Sequence, residues 1–328
     1  MLFKSLHSNS ISATMLTPLA VILLWLRYFV VDIAHFTVLD NPSMPLWDVL
    51  ILPYFGYSSF TAALASLILV ILTGVLINTM AVRYGLIRRQ SLIVLLVYAL
   101  LTSAFLSVQK LSPVWFFVFF FVAGLNRVFG AVGKRKPAVS CFDGSFLLGL
   151  GTLFYAKGLF FFPLLIIAMG VLRLLSFKTL AASILGFLFP SVISYAWYFL
   201  NDQGWWFYEV ISENLIANPG QYNHTIYSKG FMALLILLTT VSLLVTVRQM
   251  GAQKIIVRRY YRIFIWIVLI TAALVLSPFF SMEIMPLSAV GVSMIMVNWL
   301  ELMPRKALRE AVFIVLIAAI IAGQFLLF

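Results

Sequence analysis

Charged side chains are scarce in this sequence, and cysteine is almost absent. Only 10% of the 328 residues are charged and 63% are apolar, whereas ordinary soluble domains have roughly 25% charged and 45–50% apolar residues. A chain so poor in charge cannot cover itself with a polar, water-facing surface. Cys141 is the only cysteine, which excludes an intrachain disulfide, and paired Cys or His residues at metal-binding spacing are missing as well. The sequence therefore predicts no metal site and no cofactor.

Long apolar runs occupy most of the chain instead. A helix needs roughly 20 mostly apolar residues to cross a bilayer core about 30 Å thick. The pattern predicts an all-α fold, a polytopic transmembrane helical bundle of about eleven spans that forms a single domain over residues 1–328. Membrane lipids are then its main partners. The runs lie at about 12–31, 57–80, 91–108, 112–130, 143–156, 159–175, 179–200, 230–247, 263–280, 284–300 and 311–327.

The net charge of +12 is informative about topology. In a soluble protein it would indicate nucleic acid, but here Lys and Arg cluster in short loops, so we expect no nucleic-acid partner. Because basic loops stay in the cytoplasm, the chain is predicted to be a multi-pass protein of the cell inner membrane with its N-terminus inside and its C-terminus outside. The predicted outer loops cover about 32–56 and 201–229, and the basic cytoplasmic loops about 81–90, 131–142, 248–262 and 301–310. The basic residues left on the outer side are Arg27, Lys110, Lys157 and Lys229.

The segment 143–175 is too long for one span and has two short halves around Lys157. Its flanks are basic on both sides, with Lys134–Lys136 before it and Arg173 and Lys178 after it. Both flanks therefore belong on the cytoplasmic side. The sequence predicts a helical hairpin with its tip near Lys157, and it leaves open whether the hairpin crosses fully or is re-entrant.

Local patterns predict two further features. Gly144, Gly149 and Gly151 do not have the spacing of a nucleotide-binding loop, and small residues of this kind favour close helix packing in lipid. In the second outer loop, apolar residues from Trp206 to Leu215 recur at helical spacing. That pattern predicts a helix lying in the membrane interface.

Several stretches of this sequence resemble known families. Met44–Asp48, Leu76–Asn78, Phe142–Tyr155 and Leu188–Pro190 resemble a family of polytopic membrane proteins of Bacteroidetes, which implies an inner-membrane location there and no particular activity. The segment Leu148–Leu165 is also similar to a glycine-rich segment of the GT-C fold, whose members are membrane glycosyltransferases that use polyprenyl-phosphate-linked sugars. This second resemblance implies a first outer loop with a catalytic acid, and a polyprenyl-phosphate sugar as ligand. The loop here has isolated acids rather than the adjacent acid pair often found in that fold.

Candidate site residues lie in or beside the outer loops. Glycosyl transfer from a lipid phosphate needs a carboxylate to take the acceptor's proton and cations to stabilise the departing phosphate. The candidate carboxylates are Asp32, Asp40 and Asp48, and the candidate cations are Lys157 and Arg27. Each residue also has a structural interpretation, because charged residues at helix ends mark the membrane boundary and long basic side chains extend towards headgroups.

Two classes of function are consistent with these patterns. The first is a GT-C-like glycosyltransferase, or a degenerate relative, acting on polyprenyl-linked sugars at the outer leaflet. The second is a non-catalytic scaffold or subunit of an envelope or secretion assembly, with a protein partner in the inner membrane. Secondary transport ranks lower, because repeats and paired broken helices are not visible in the sequence. Whether the protein is an enzyme stays open at this point.

Overall fold

The structure, a computed structural model, describes residues 11–30, 43–56, 58–87, 91–216, 226–275 and 282–326. Across these residues the chain forms α-helices with short 3-10 segments and no strand, which confirms the all-α prediction. The helices are α1 (Ile11–Val30), α2 (Pro45–Leu50), α3 (Leu52–Phe55), α4 (Ser59–Arg83), α5 (Ile93–Thr102), α6 (Leu106–Gln109), α7 (Pro113–Phe129), α8 (Pro137–Thr152), α9 (Phe162–Val171), α10 (Phe177–Leu200), α11 (Gly204–Ile216), α12 (Ile226–Gln249), α13 (Ile255–Val275), α14 (Met285–Leu302) and α15 (Lys306–Leu326).

Several helices begin at residues that suit a helix start. Pro113, Pro137 and Pro286 stand in the first turns of α7, α8 and α14, where the missing N–H of proline costs nothing. α10 begins with a capping box. The Ser176 hydroxyl accepts from the Thr179 backbone N–H at 3.3 Å, and the Ser176 N–H donates to the Thr179 hydroxyl at 2.8 Å. α7, α10 and α14 begin close to the starts of their predicted apolar runs, whereas α8 begins at Pro137, inside the loop predicted at about 131–142.

Five helices are long and apolar enough to cross a membrane. In length and composition these helices are those of an integral membrane protein, as predicted. Each of the eleven predicted apolar runs overlaps a described helix, and the number of crossings stays a prediction. The five long spans are Ser59–Arg83, Phe177–Leu200, Lys229–Ala252, Met285–Leu302 and Lys306–Gln324, and shorter apolar helices lie at Met15–Phe29, Ile93–Thr102, Pro113–Phe129 and Ala156–Val171.

The interior is built around α5, α7 and α14. Every residue of α5 is buried, and α14 packs against α5, α12 and α13. Trp115 and Tyr98 are fully buried in this core. The outer helices α10 and α12 instead expose large apolar side chains such as Leu185 and Leu237. Such exposure is unfavourable in water by roughly 25 cal/mol per Å² of apolar surface, so these faces suit a lipid environment.

Glycines bring the backbones of α7, α8 and α10 into direct contact, as the sequence predicts for Gly144 and Gly149. A methyl group on Gly124 of α7 would lie 2.5 Å from the carbonyl oxygen of Gly144 in α8. A methyl group on Gly149 would lie 2.3 Å from the carbonyl oxygen of Phe187 in α10, and Gly186 makes the same kind of approach to α8. Only a hydrogen atom fits at these points. We call this three-helix contact the glycine seam.

The chain turns back at the predicted hairpin tip. α8 ends at Thr152, and the 3-10 segment Ala156–Phe161 leads into α9. Leu153 and Tyr198, at the carboxyl ends of α8 and α10, lie in one apolar cluster. Because α8 and α10 thus run in the same direction, α9 must carry the chain back between them. This confirms a hairpin with its tip near Lys157 and rules out a single long helix.

The two ends of the bundle differ in what they carry. We call the end with α2, α3 and α11 the loop end, and the opposite end, with the exposed residues Lys134, Arg135 and Lys136, the basic end. At the basic end, the Tyr84 hydroxyl donates to Asn126 Oδ1 at 2.9 Å. This hydrogen bond joins the carboxyl end of α4 to that of α7.

Buried amides join three helices at the loop end. Gln324 of α15 donates to the carbonyl oxygens of Leu24 at 3.1 Å and Ser103 at 2.8 Å. Gln109 of α6 donates to the same Leu24 carbonyl at 3.0 Å. Interhelical hydrogen bonds in membranes contribute about 0.6–2 kcal/mol each. The last turn of α1, which contains Arg27, is therefore fixed beside α6.

Candidate functional site

The described part of the predicted first outer loop forms α2 and α3, and α2 is attached to the hairpin tip. The Leu46 backbone N–H donates to the carbonyl oxygen of Leu153 at 3.3 Å. The Tyr198 hydroxyl, near the end of α10, donates to the Pro45 carbonyl at 3.1 Å. Because both partners belong to other helices, α2 is held in a fixed position over the carboxyl ends of α8 and α10.

α11 packs at the same end of the bundle, and its presence confirms the helix predicted in the second outer loop. Phe207 and Val210 point into the protein, whereas Glu209 on another face is exposed. Asn214 donates to the carbonyl oxygen of Ser43 at 2.8 Å, just ahead of α2. The described parts of the two predicted outer loops therefore meet each other at the loop end.

Asp48 is the predicted carboxylate that the structure places, and it lies partly buried in α2. Asp32 and Asp40, the other two candidates, lie outside the described residues. Burial raises the pKa of Asp48 above its ordinary value of 3.8, and hydrogen bonds from the Met44 backbone and the Ser43 side chain partly oppose this rise. A carboxylate with a raised pKa holds a proton more readily, which suits a general base.

Lys157, the predicted cation at the hairpin tip, is only 6% exposed. Its neighbour Gly158 lies so close to Phe117 that a methyl group there would be 2.3 Å from the ring. Burial lowers the pKa of the Lys157 ammonium, and the nearby Glu283 carboxylate opposes this change. A lysine that extends towards headgroups keeps its ammonium accessible, so the buried position favours a binding or pairing role.

Glu283 supplies the counter-charge from a distant part of the chain. It lies in a 3-10 turn directly before α14. Burial raises the pKa of Glu283 above its ordinary value of 4.5, and the positive charges of Lys157 and Lys110 oppose that rise. The pKa of Tyr155 is raised by burial and further by the Glu283 charge. We call Lys110, Tyr155, Lys157 and Glu283 the loop-end charge cluster.

Sequence reasoning identified Lys157 but missed the rest of this cluster. Lys110 follows α6, where Trp115 fixes the turn by donating to the Lys110 carbonyl at 3.1 Å. Arg27, the other predicted cation, lies partly buried in the last turn of α1, beside the α6 segment. Arg27, Lys110 and Lys157 are three of the basic residues that the predicted topology leaves on the acidic side. Their departure from the rule that basic residues lie on the other side is the signal from which a common site could have been predicted.

The cluster has the chemical properties of an anion site. Two ammonium groups around one carboxylate leave a net positive charge, and partial exclusion of water strengthens its field. Lysine is a common phosphate ligand that acts as a point charge. Within the described residues no group of three or more His, Cys, Asp or Glu side chains could hold a metal ion.

Fold and site together define a helical membrane protein with ionisable side chains drawn together at one end of the bundle. Comparison with known proteins gave no match to any family model, curated protein or solved structure. The resemblances to the Bacteroidetes family and to the GT-C fold stay predictions.

Proposed function

We propose that this protein is a GT-C-like glycosyltransferase that acts on polyprenyl-phosphate-linked sugars at the outer leaflet of the inner membrane. In this proposal the chain crosses the membrane eleven times, with its N-terminus inside and the loop end outside. The observation that supports it is the attachment of α2, which carries Asp48, to the hairpin tip that carries Lys157. A carboxylate and a buried cation thus occur at one end of the bundle.

The proposed chemistry assigns a role to each of these side chains. The acceptor hydroxyl oxygen attacks the anomeric carbon of the sugar, and its proton passes to the Asp48 carboxylate. The bond between the anomeric carbon and the phosphate oxygen breaks, and its electron pair goes to the polyprenyl phosphate. Lys157 and Lys110 stabilise the negative charge that develops on that phosphate.

The cost of burying Lys157 supports a functional interpretation. Burying an ionisable group is expensive, and groups buried beside a charge partner are often part of a functional site. A purely structural hairpin tip would need only apolar or small side chains, such as the Gly158 next to it. Lys157 is instead 6% exposed and placed near Glu283.

Complementation in cells tests the proposal. In a strain whose lipid-linked glycan intermediates change when the gene is deleted, we expect Asp48→Asn and Lys157→Met to leave that change uncorrected. Glu209→Gln, on the exposed face of α11, is the matched control and should restore the wild-type pattern. Mass spectrometry of extracted lipids is the measurement.

Two results would be decisive against parts of this proposal. Full restoration by both Asp48→Asn and Lys157→Met would remove the loop end from the chemistry altogether. Asp32→Asn and Asp40→Asn are tested in parallel, and a loss confined to Asp32→Asn would move the general-base role to that residue.

A scaffold for an envelope or secretion assembly is the second candidate. It is favoured by the large aromatic side chains exposed around the loop end, with Trp205 at 76%, Trp197 at 66% and Tyr208 at 63%. Aromatic residues are typical of protein interfaces, although they also anchor helices at membrane surfaces. Purification in mild detergent should then yield one inner-membrane partner in near-equal amount, and Trp197→Ala should release it.

A further inference from the structure

Trp47 of α2 has a buried indole N–H that is left without a hydrogen-bond partner in the described part of the chain. Trp25, Trp47 and Trp115 are all fully buried. The other two donate to protein oxygens. Trp25 Nε1 bonds to the Ser66 hydroxyl at 3.1 Å, and Trp115 Nε1 bonds to backbone carbonyls at the end of α6. Trp47 is thus the exception among these three side chains.

This exception is costly, because buried tryptophan N–H groups normally find an acceptor. A buried donor that lacks one loses the hydrogen bonds it had with water. Loose packing does not account for it either, since α2 is fixed by the bonds of Leu46 and Pro45 to other helices. A donor held in place, for which no described residue supplies an acceptor, indicates an acceptor outside the described part of the chain.

The position of Trp47 relates it to both parts of the candidate site. Its ring packs edge-on against Phe116 at 6.1 Å, and Phe116 stacks on Phe154 at 4.9 Å. Phe154 belongs to the hairpin tip, close in sequence to Lys157, and Asp48 follows Trp47 directly. The indole is therefore adjacent in sequence to the candidate base and is connected through the Phe116 and Phe154 rings to the turn that bears the candidate cation.

We propose that Trp47 Nε1–H donates a hydrogen bond to a phosphate oxygen of the lipid-linked ligand and so positions the ligand between Asp48 and Lys157. This inference rests on the proposed function, since it takes the polyprenyl phosphate as the ligand. An indole N–H donates only and carries no charge. It can therefore fix the orientation of a phosphate, which offers only acceptor atoms when ionised, while the lysines supply the attraction.

A binding experiment with a matched control tests the assignment. Purified full-length protein in nanodiscs is titrated with a short-chain polyprenyl phosphate, and the affinity is compared between the wild type, Trp47→Phe and Trp25→Phe. Because a hydrogen bond to a charged acceptor is lost, we expect Trp47→Phe to weaken binding about tenfold. Trp25→Phe removes a donor that already has a protein partner, so it should leave the affinity unchanged.

A second variant guards against misfolding. Replacement of Trp47 by 3-benzothienylalanine keeps the shape of the ring and removes only the N–H group, so it should reproduce the weakened binding. Unchanged affinity in both Trp47 variants would overturn the inference and would assign the N–H to a buried water molecule. If the wild type itself binds no polyprenyl phosphate, the proposed function fails as well. The Lys157→Met variant distinguishes failure of this inference from failure of the proposed function. If Lys157→Met loses affinity while both Trp47 variants bind normally, only the inference about Trp47 fails.

Discussion

The two ends of the helix bundle treat charge in opposite ways. At the basic end, Lys134, Arg135 and Lys136 are exposed. At the loop end, Lys157 is almost fully buried and Glu283 is partly buried near it. The basic end is sufficiently explained by contact with anionic headgroups. Headgroup contact does not explain the loop end, because charges are desolvated there at a cost in free energy that membrane topology does not require.

The largest expected effect comes from removing the buried cation. Lys157→Met should lower the free energy of unfolding by on the order of 3 kcal/mol, because it leaves the partly buried Glu283 carboxylate without its main counter-charge. Lys136→Met, at the exposed basic end, should change stability by less than about 0.5 kcal/mol. Denaturation in detergent monitored by circular dichroism measures both. Equal effects would end the contrast between the two ends.

Substitutions in the glycine seam test whether the basic end and the loop end of the bundle are joined rigidly. Gly149→Ala should destabilise by about 2 kcal/mol, because the new methyl group meets the Phe187 carbonyl oxygen at 2.3 Å. Gly170→Ala is the control in α9, where nothing lies within 4 Å of the added methyl group, and it should stabilise by up to about 1 kcal/mol. Thermal unfolding of both variants is the measurement. A neutral Gly149→Ala would show that α8 and α10 separate easily.

The pH dependence of stability should reveal the buried acid. The pKa of Glu283 is higher in the folded state than its ordinary value of 4.5, so the folded state keeps the proton to a higher pH. Stability contributed by this group is present below pH 4.5 and is lost as the pH rises through the raised pKa. Asp48 contributes with the same sign from about pH 3.8 upward.

Glu283→Gln should therefore reduce the loss of stability with rising pH. Glu213→Gln, on the exposed face of α11, should leave that loss unchanged. The measurement is the unfolding midpoint at a series of pH values between about 4 and 7. A Glu283→Gln profile that follows the wild type throughout would place that carboxylate in water rather than in the charge cluster.

The smallest effect concerns a turn at the basic end. Arg173 has φ of 59°, in the left-handed region, where glycine is favoured. Arg173→Gly should stabilise by about 1 kcal/mol, whereas Arg173→Ala removes the charge but keeps the strain and should not. Chemical denaturation compares the two. Equal stabilisation by both variants would trace the cost to charge repulsion among the basic residues instead of to the backbone.

Much of the fold follows from local sequence patterns. Hydropathy located the long apolar helices, because a span needs a continuous apolar segment. The basic flanks Lys134 and Arg173 identified the turn at Lys157, and Gly149 indicated close packing. Each of these signals lies within a short stretch of chain, where spacing and charge can be read directly.

The site depends on contacts between distant segments, and those were not predictable in the same way. Glu283 and Lys110 meet Lys157 only because α14, α6 and the hairpin tip pack at one end. Trp47 carries no sign of burial in the sequence, because its burial is decided by what packs around α2. Asp32 lies outside the described residues, so its candidacy stays a prediction.

The glycine seam also limits how this protein moves. Helices that touch through side chains can slide, since rotamers readjust, but α7, α8 and α10 touch through backbone atoms. Rocking of one half of the bundle against the other, the usual motion of alternating-access carriers, would have to break every such contact together. We therefore expect the hairpin tip to stay rigid when the protein changes conformation. Any movement that admits a ligand should involve the more loosely packed helices around it.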